Sequence, residues 1–471
     1  MVQNNSIGAK MKKKKFLCVF QKGVFPLVLG MFLCACSAKR GPSVAETSGP
    51  VTISFWHSMA DEAGLVFETF VKEFNEGPGA EKQITVEAVF QGQYADATAK
   101  LRPLIMAKQI DVMPDVMQID ATGIVDYLNT EYAFTIDDAL LIDTSYDLAQ
   151  IMEAPLKAWN YGGRQLGLPV SASTTVMYYN KSLLDATGIS TPPSSFEEIV
   201  EVSHKLPPVN ANGQKIAAFA QIPNSPYLAN WIGQIPGKSG ESSYIVDNRN
   251  GRDGDATKLV CDTDGTLLTF LRAWKAMYDA GALLNVSDGI SNLFLTQQIC
   301  FMTASTSQLA ALLAQVGGRF ELGCAYYPRV SQTARYGATV SGSALFMFDR
   351  GDKAKITAAW EFVKFMCSSG IQARFAAATG YMPVNNNSFR EKTYADYIAA
   401  HPQAATGARQ LADTSADMMG IVVGPSRSFY MEIINQISAM LTEKKSPEDT
   451  VKSMSQALNL ILEDYAAANA K

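Results

Sequence analysis

Gly167-Leu-Pro-Val-Ser-Ala-Ser-Thr-Thr-Val-Met-Tyr-Tyr-Asn-Lys181 decides how this chain is organised. Its β-branched and aromatic residues are typical of a buried strand. Strand and helix patterns alternate before this stretch and again after it, so a long strand here would join two α/β bodies and form a hinge with a cleft beside it. Ser171 and Ser173 could offer hydroxyls to a ligand in that cleft. Alternatively, both serines could satisfy nearby backbone groups inside the core.

The length and composition are those of a globular protein with more than one domain. A chain of 471 residues is too long for a single hydrophobic core. With 47% hydrophobic and 18% charged residues, it resembles neither a disordered protein nor a polytopic membrane protein.

The N-terminus has the pattern of an export signal. Residues 1–35 carry six lysines and no acidic residue, and the apolar run 24–33 is too short to span a bilayer comfortably. Leu33-Cys34-Ala35-Cys36 resembles a bacterial lipobox, so we expect a signal peptide over 1–35, lipidation of Cys36 and a flexible tether over 36–50. A plain secretory signal cleaved near Ala35 is the alternative, and Met11 could equally be the start.

Charge and localisation follow from this processing. Without residues 1–35 the chain has 34 basic and 45 acidic side chains, a net charge of −11. An acidic surface argues against nucleic acid as a partner. The acyl chains on Cys36 would anchor the protein to a membrane, which predicts a cell-envelope lipoprotein facing the periplasm or the exterior.

The remaining cysteines do not form a metal-binding pattern. Four of them would stay in the mature chain, at widely separated positions: Cys261, Cys300, Cys324 and Cys367. Three disulfide pairings are possible in an exported protein, and buried free thiols are equally compatible with the sequence. We expect no metal and no cofactor.

The first part of the chain predicts a parallel sheet with polar and aromatic residues at one edge. Strands are expected over 51–56, 84–90 and 114–120, separated by helices. In such a sheet, ligands gather beyond the carboxyl ends of the strands. The dipeptide Trp56-His57, Tyr94 and Asp120 all fall at such ends, although each could separately be structural.

The second part of the chain adds further candidates. Ser225 could cap a helix in which Pro226 occupies the first position and Tyr227 and Trp231 share one face. These aromatics could stack on a sugar or enclose a quaternary ammonium, or they could be packed in the core. A strand over 299–308 would deliver Ser305 and Thr306 to a helix start. Gly342, inside a predicted strand over 340–348, indicates a close backbone approach.

No pattern typical of catalysis is present. The three histidines occur in no metal-binding motif, and no nucleophile elbow accompanies a plausible triad. We therefore expect a binding protein and not an enzyme.

Several stretches resemble family 1 extracellular solute-binding proteins, the receptors of bacterial ABC importers for sugars and related polyols. They are Ala358-Ala-Trp-Glu-Phe-Val-Lys-Phe-Met366, Ala376-Ala-Ala-Thr-Gly-Tyr-Met-Pro-Val384 and the central strand quoted above. Within the family, Phe55-Trp-His-Ser-Met59 and Gly92-Gln-Tyr94 are most similar to receptors for sn-glycerol-3-phosphate of the Ugp type.

The resemblance implies an α/β, two-lobed periplasmic-binding-protein fold with a hinge of crossing strands and an interlobe ligand cleft. It divides the chain into an N-terminal lobe (51–167 and 306–348) and a C-terminal lobe (168–305 and 349–471). Such a receptor would act as a monomer, close on its solute and deliver it to the transmembrane subunits of an ABC permease.

Carried over residue by residue, the resemblance assigns ligand contacts to Tyr94, Asp120, Ser173, Ser305, Gly342 and Tyr381. It puts the aromatic role near Tyr227 and Trp231. The phosphate-pairing arginine of the glycerophosphate receptors is missing, because Tyr430 stands at its position. Arg427 lies three residues earlier and could replace it if a helix has already begun there.

Four functions are consistent with this sequence. The first is capture of glycerol-3-phosphate or a glycerophosphodiester. The second is a receptor for a neutral sugar or oligosaccharide. The third, a secreted carbohydrate-active enzyme, would need a carboxylate pair or a metal cluster at the cleft, and the sequence offers neither. A surface adhesin or structural lipoprotein would use the lipid anchor without needing a cleft.

Overall fold

The computed structural model describes residues 49–121, 123–128, 130–237 and 240–469. The predicted signal peptide, the lipidation site Cys36 and nearly all of the predicted tether lie outside these residues.

The strands occur where the sequence predicts them. The six long or central strands expected above are all present, and the match is closest for 84–90 and 340–348. In chain order the strands are β1 (Val51–His57), β2 (Ile84–Phe90), β3 (Val116–Ile119), β4 (Ala133–Phe134), β5 (Asn160–Tyr161), β6 (Arg164–Gln165), β7 (Leu168–Asn180), β8 (Ala217–Ala220), β9 (Leu283–Leu284), β10 (Ile299–Ser305), β11 (Leu322–Ala325) and β12 (Val340–Phe348).

One large mixed sheet contains most of these strands, in the order β2-β1-β3-β12-β7-β10-β8-β9. β1 pairs in parallel with both β2 and β3, which confirms the predicted parallel start of the sheet. β7 is the junction, because its residues 168–174 pair with β12 and its residues 175–179 pair with β10. β7 therefore runs from one half of the sheet into the other, as predicted.

Helices cover the sheet on both halves. In α1, Phe67, Phe70, Val71 and Phe74 are buried because they recur at three- and four-residue spacing. The helices are α1 (Asp61–Glu76), α2 (Pro78–Glu81), α3 (Tyr94–Met106), α4 (Ile124–Leu128), α5 (Ile136–Ile142), α6 (Glu153–Lys157), α7 (Lys181–Asp185), α8 (Phe196–Ser203), α9 (Ser225–Gln234), α10 (Asp247–Gly251), α11 (Thr266–Asp279), α12 (Ile290–Leu295), α13 (Leu309–Val316), α14 (Lys353–Met366), α15 (Ser369–Thr379), α16 (Lys392–Ala400), α17 (Ala405–Asp413), α18 (Ser426–Thr442) and α19 (Pro447–Asn469). In the described ranges, no helix is both long and apolar enough to cross a membrane.

Two large hydrophobic clusters lie on opposite sides of the strand crossing. One packs β1 and β3 against α1, α14 and α15, with Phe55 and Trp360 at its centre. The other packs α9, α11, α18 and α19 together around Trp231 and Trp274. A third cluster joins β10, β11 and α13.

The lobe boundaries expected from the sequence stay a prediction. From the packing we propose a refinement in which α14 and α15 belong to the N-terminal lobe, whereas β11 and α13 belong to the C-terminal lobe. This refinement would move two of the expected boundaries and leave the number of crossings between the lobes unchanged. Sequence position alone does not reveal on which half of the sheet a returning helix packs.

The four cysteines of the described chain are free thiols. Three of them are buried, and burial raises the pKa of Cys324, the partly exposed one, to about 12. Of the two possibilities that the sequence left open, the structure has unpaired thiols.

Gly342 lies where the backbones of β7 and β12 approach closely. Its φ of +127° is outside the range of ordinary residues, and an added Cβ would lie 2.2 Å from the Ser171 carbonyl oxygen. The predicted close backbone approach is therefore present, and only glycine fits this position.

We expect Gly342→Ala to lower the free energy of unfolding of the ligand-free protein by about 3 kcal/mol, because it combines backbone strain with overpacking. Chemical denaturation would measure the change. Gly370→Ala is the matched control, because that glycine, in the first turn of α15, has open space around an added Cβ. Equal stability of the two variants would contradict the proposed constraint at Gly342.

Candidate functional site

A cavity of about 700 Å³ opens beside the crossing of β7 and β12. Its volume is in the usual range for small-molecule sites, roughly 300–1,000 Å³. The residues that line it come from both halves of the sheet and from the helical C-terminal part. Seven of the residues predicted from the sequence are among them: Tyr94, Asp120, Ser173, Ser305, Gly342, Tyr381 and Arg427.

Tyr94 and Asp120 reach the cavity because they follow parallel strands. Tyr94 is the first residue of α3, four residues after β2 ends, and Asp120 follows β3 directly. The carboxyl ends of parallel strands share one edge of a sheet, which brings the two side chains to the same side of the molecule. An aromatic face and a carboxylate there can contact a polyol, the carboxylate by accepting bonds from its hydroxyls.

The Tyr94 hydroxyl is held by a buried polar network. The amide nitrogen Nε2 of Gln118 lies 3.1 Å from the Tyr94 hydroxyl oxygen and 2.7 Å from Ser343 Oγ. Ser343 Oγ is in turn 2.8 Å from Ser171 Oγ. Burial raises the pKa of Tyr94 well above its ordinary value, so the side chain is a neutral phenol at physiological pH.

Ser173 differs from Ser171, two residues earlier on the same face of β7. Ser171 is fully engaged, since its Oγ also accepts a hydrogen bond of 3.1 Å from the backbone N–H of Ser343. The Ser173 hydroxyl lines the cavity and has no hydrogen-bond partner in the described part of the chain. Of the two serines, Ser173 is therefore the one available to a ligand.

A further part of the cavity wall consists of Ser305, Ser307 and Tyr381. Ser305 ends β10, and its Oγ lies 2.9 Å from Ser307 Oγ. The Tyr381 ring stacks on Phe375, with 5.5 Å between the ring centroids and 24° between the planes. Burial raises the pKa of Tyr381, while a hydrogen bond with Ser307 acts in the opposite direction. This part of the wall offers hydroxyls and one flat aromatic surface.

Tyr227 and Trp231 do not line the cavity, so the structure does not place the predicted aromatic surface there. Trp231 is fully buried, packs against Trp274 and donates a hydrogen bond from Nε1 to the Pro328 carbonyl at 3.2 Å. The Tyr227 ring stacks on Tyr327 at an interplanar angle of 13°. Both aromatics therefore match the alternative that the sequence left open, packing in the core.

The predicted cap of the same helix was also wrong. Asn224 is the N-cap, and its side chain accepts a hydrogen bond from the backbone N–H of Tyr227. Ser225 is the first helical residue, and Ser225 and Pro226 are the part of α9 that lines the cavity.

Arg427 and Tyr430 lie together, as the sequence suggested they would if a helix had begun. α18 begins at Ser426, so the two residues are three positions apart on one face and both line the cavity. The Tyr430 hydroxyl accepts a hydrogen bond of 3.0 Å from Asn224 Nδ2. Arg427 is exposed to solvent.

His57 is a core residue. It is only 2% exposed and stacks on Phe55 at a centroid distance of 5.6 Å. Burial lowers its pKa, which favours the neutral imidazole. In the described ranges, no cluster of histidine, cysteine or acidic residues could hold a metal ion.

Sequence reasoning missed two important residues of the cavity wall, Trp159 and Arg252. Trp159 precedes the β5–β6 hairpin and packs edge-on against Phe346. Arg252 lies in a turn-rich segment that has no hydrophobic periodicity. Its only sequence signal is the run Asn248-Arg-Asn-Gly-Arg252, in which polar residues surround a glycine.

Comparison with known proteins identifies the family. The model of the bacterial extracellular solute-binding proteins matches residues 69–403, well over half of the chain. The chain belongs to this family. The predicted family resemblance is therefore confirmed, and members of this family are solute-binding proteins of ABC importers.

Relatives of this solute-binding protein have diverged far in sequence. The sn-glycerol-3-phosphate-binding periplasmic protein UgpB of Yersinia pestis bv. Antiqua is 22% identical over 439 residues, which cover 90% of this chain and 95% of the relative. The resemblance to Ugp-type receptors noted above is thus confirmed as a similarity along nearly the whole chain.

Two solved structures confirm the two-lobed fold. UgpB from Mycobacterium tuberculosis, in complex with glycerophosphocholine, is 20% identical with a TM-score of 0.67, over 89% of this chain and 99% of the other. The cyclic alpha-maltosyl-1,6-maltose binding protein from Arthrobacter globiformis is 19% identical with a TM-score of 0.71, over 88% of this chain and all of the other. At these identities the likeness concerns the fold and not the ligand.

The two serines of β7 allow a matched test of the cavity. Ser173→Ala should weaken binding of the cognate solute about tenfold, because one ligand hydrogen bond is lost, and should leave the melting temperature of the ligand-free protein unchanged. Ser171→Ala should lower the melting temperature, because it breaks the buried network, and should change affinity much less. Calorimetric titration and thermal unfolding would measure both effects, and the reverse pattern would place the ligand elsewhere.

Proposed function

We propose that this solute-binding protein captures glycerol-3-phosphate or a glycerophosphodiester in the cavity between its lobes and delivers it to an ABC permease. The site residues named from the sequence are proposed as its ligand contacts, except Tyr227 and Trp231, whose positions lie in the core. The observation that carries this proposal is the composition of the cavity wall, which combines a carboxylate, several hydroxyls, aromatic rings and two guanidinium groups.

Each part of a glycerophosphate has a chemically matched group in this wall. The Asp120 carboxylate and the Tyr94 phenol suit the glycerol hydroxyls, which both donate and accept hydrogen bonds. Ser173, Ser305 and Ser307 can donate to phosphate oxygens. Arg427 adds a positive charge at the solvent side of the cavity. The similarity to glycerophosphate receptors supports the same ligand class without deciding it.

The remaining features of the proposal concern the cell envelope. We propose that Cys36 carries the lipid anchor and that the protein works as a monomer. It would contact the permease and would alter nothing chemically, since the family and the neighbours named above are solute-binding proteins. The secreted-enzyme and adhesin alternatives find no support in the cavity or in the family.

A neutral sugar or oligosaccharide is the second candidate ligand. It is favoured by the aromatic rings of Trp159, Tyr381 and Tyr430 around the cavity, because flat aromatic faces stack on sugar rings. The similarity of the fold to a maltosyl-maltose binding protein fits this candidate equally well.

A calorimetric screen of sn-glycerol-3-phosphate, glycerophosphocholine, glycerol and maltose would decide between the two. We expect saturable one-to-one binding of a phosphate-containing ligand, no product after prolonged incubation, and a melting temperature that rises with ligand excess. Tight binding of maltose with no response to either phosphate ester would favour the sugar candidate.

Arg427→Ala should reduce the affinity for sn-glycerol-3-phosphate about two- to fivefold and leave that for glycerol unchanged, since an exposed charge contributes modestly. The difference should shrink when salt is raised, because exposed charges are screened. Ser428→Ala, in the same exposed turn but outside the cavity wall, is the control. An equal effect on charged and uncharged ligands would exclude a phosphate contact.

A further inference from the structure

Arg252 occupies an unusual position for a charged side chain. It is only 5% exposed, yet it lines the 700 Å³ cavity and also a neighbouring one of about 330 Å³. The two cavities share a wall built from Arg252 and four other residues: Ala158, Thr339, Val340 and Gly420. The guanidinium is thus part of the partition between them.

Hydrogen bonds engage two of the three nitrogens of the Arg252 guanidinium. Nε donates to the Gly420 carbonyl at 2.8 Å, and Nη1 donates to the Ala158 carbonyl at 2.6 Å. The group also lies over the Tyr161 ring, 5.6 Å from its centroid. Nη2 has no hydrogen-bond partner in the described part of the chain. The Nη2 amino group of a firmly held guanidinium is therefore available to a ligand.

The Arg252 charge also lacks a counter-charge. Among residues 49–121, 123–128, 130–237 and 240–469, no carboxylate forms an ion pair with it. Burial lowers the pKa of Arg252, and the neighbouring cation Arg249 acts in the same direction. A buried cation without a partner is electrostatically unfavourable, and an anion bound beside it would relieve that cost.

The backbone before Arg252 is shaped to hold it in place. Asn248, Arg249 and Asn250 have φ values of 51°, 51° and 60°, a left-handed turn that continues into Gly251. An added Cβ on Gly251 would lie 2.0 Å from the Val422 carbonyl oxygen. Asn250 is completely buried, and its Nδ2 donates to the Met419 carbonyl at 2.9 Å. The turn is therefore locked to the segment around Gly420, to which the guanidinium is itself bonded.

We propose that Arg252 is the residue that gives this cavity its preference for anions, by donating from Nη2 to the phosphate of a phosphate mono- or diester. This inference rests on the proposed function and adds a specific residue to it. Arg252 replaces, from a different element, the guanidinium whose expected position is occupied by Tyr430. Arg427 then assists from the exposed end of the cavity.

Arg252→Met is the decisive variant, because methionine keeps an apolar stem of similar reach and removes the charge. We expect it to weaken binding of sn-glycerol-3-phosphate and glycerophosphocholine about 10- to 100-fold and that of glycerol less than about threefold. Arg252→Lys should keep part of the anion preference, since it retains the charge without the fork. The effect should persist at high salt, unlike that of Arg427→Ala, because a buried pair is poorly screened.

Arg249→Met is the matched control. That arginine lies three residues earlier, pairs with Asp253 at 3.3 Å on the surface and does not line the cavity. Its removal should leave all affinities unchanged. Calorimetry gives the affinities, and thermal unfolding verifies that each variant is folded. If Arg252→Met does not fold, Arg252→Lys takes its place in the test. The quantity compared is again the ratio of the affinity for phosphate esters to the affinity for glycerol.

The outcomes separate this inference from the proposed function. Suppose that wild-type protein binds phosphate esters. If Arg252→Met then weakens the binding of charged and uncharged ligands by the same factor, or weakens the binding of neither, Arg252 is only structural and the inference is overturned. If wild-type protein binds maltose and no phosphate ester, the proposed function fails as well, and that result is visible before any variant is made.

Discussion

The antiparallel pairing of β7 with β12 is the contact on which the rest of this structure depends. β7 runs from one half of the sheet into the other, and β12 pairs with its first part and with β3, so these hydrogen bonds attach the crossing strand to the first half of the sheet. The pairing leaves no space at Gly342, where an added Cβ would collide with the Ser171 carbonyl. Small residues are required here because larger ones would separate the strands.

This requirement also shapes the chemistry of the cavity. At Gly342 the close strands leave no room for a side chain, and its neighbours Ser341, Ser343 and Ala172 are small, so this part of the crossing carries hydroxyls and not bulky groups. Ser171 and Ser343 use theirs to stabilise the crossing, whereas Ser173 presents its hydroxyl to the cavity. The aromatic and charged groups come from elements that surround the crossing, which is why distant parts of the chain are needed to complete the site.

The charged side chains of the cavity wall determine its electrostatic character. Its wall includes one carboxylate, Asp120, and two guanidinium groups in very different surroundings. The exposed Arg427 is solvated, so its field is weakened by water and salt. The buried Arg252 is held by backbone carbonyls and forms no ion pair with a carboxylate of the described residues, and its field therefore acts on a ligand that enters the cavity. Burial, more than the number of charges, decides which group should dominate ligand selection.

Local patterns in the sequence determined the strands, the parallel start of the sheet and the crossing strand β7. They also determined the positions of Tyr94, Asp120 and Ser173, because strand ends and runs of small residues can be recognised from neighbouring residues along the chain. Only the tertiary structure decided that Tyr227 and Trp231 are core residues, since an amphipathic spacing does not say what covers its apolar face. It likewise decided that α14 and α15 return to the first half of the sheet, and that Arg252, in a segment without periodicity, reaches the cavity. Those outcomes depend on long-range packing and on burial of charge, and neither is encoded in the neighbours of a residue along the chain.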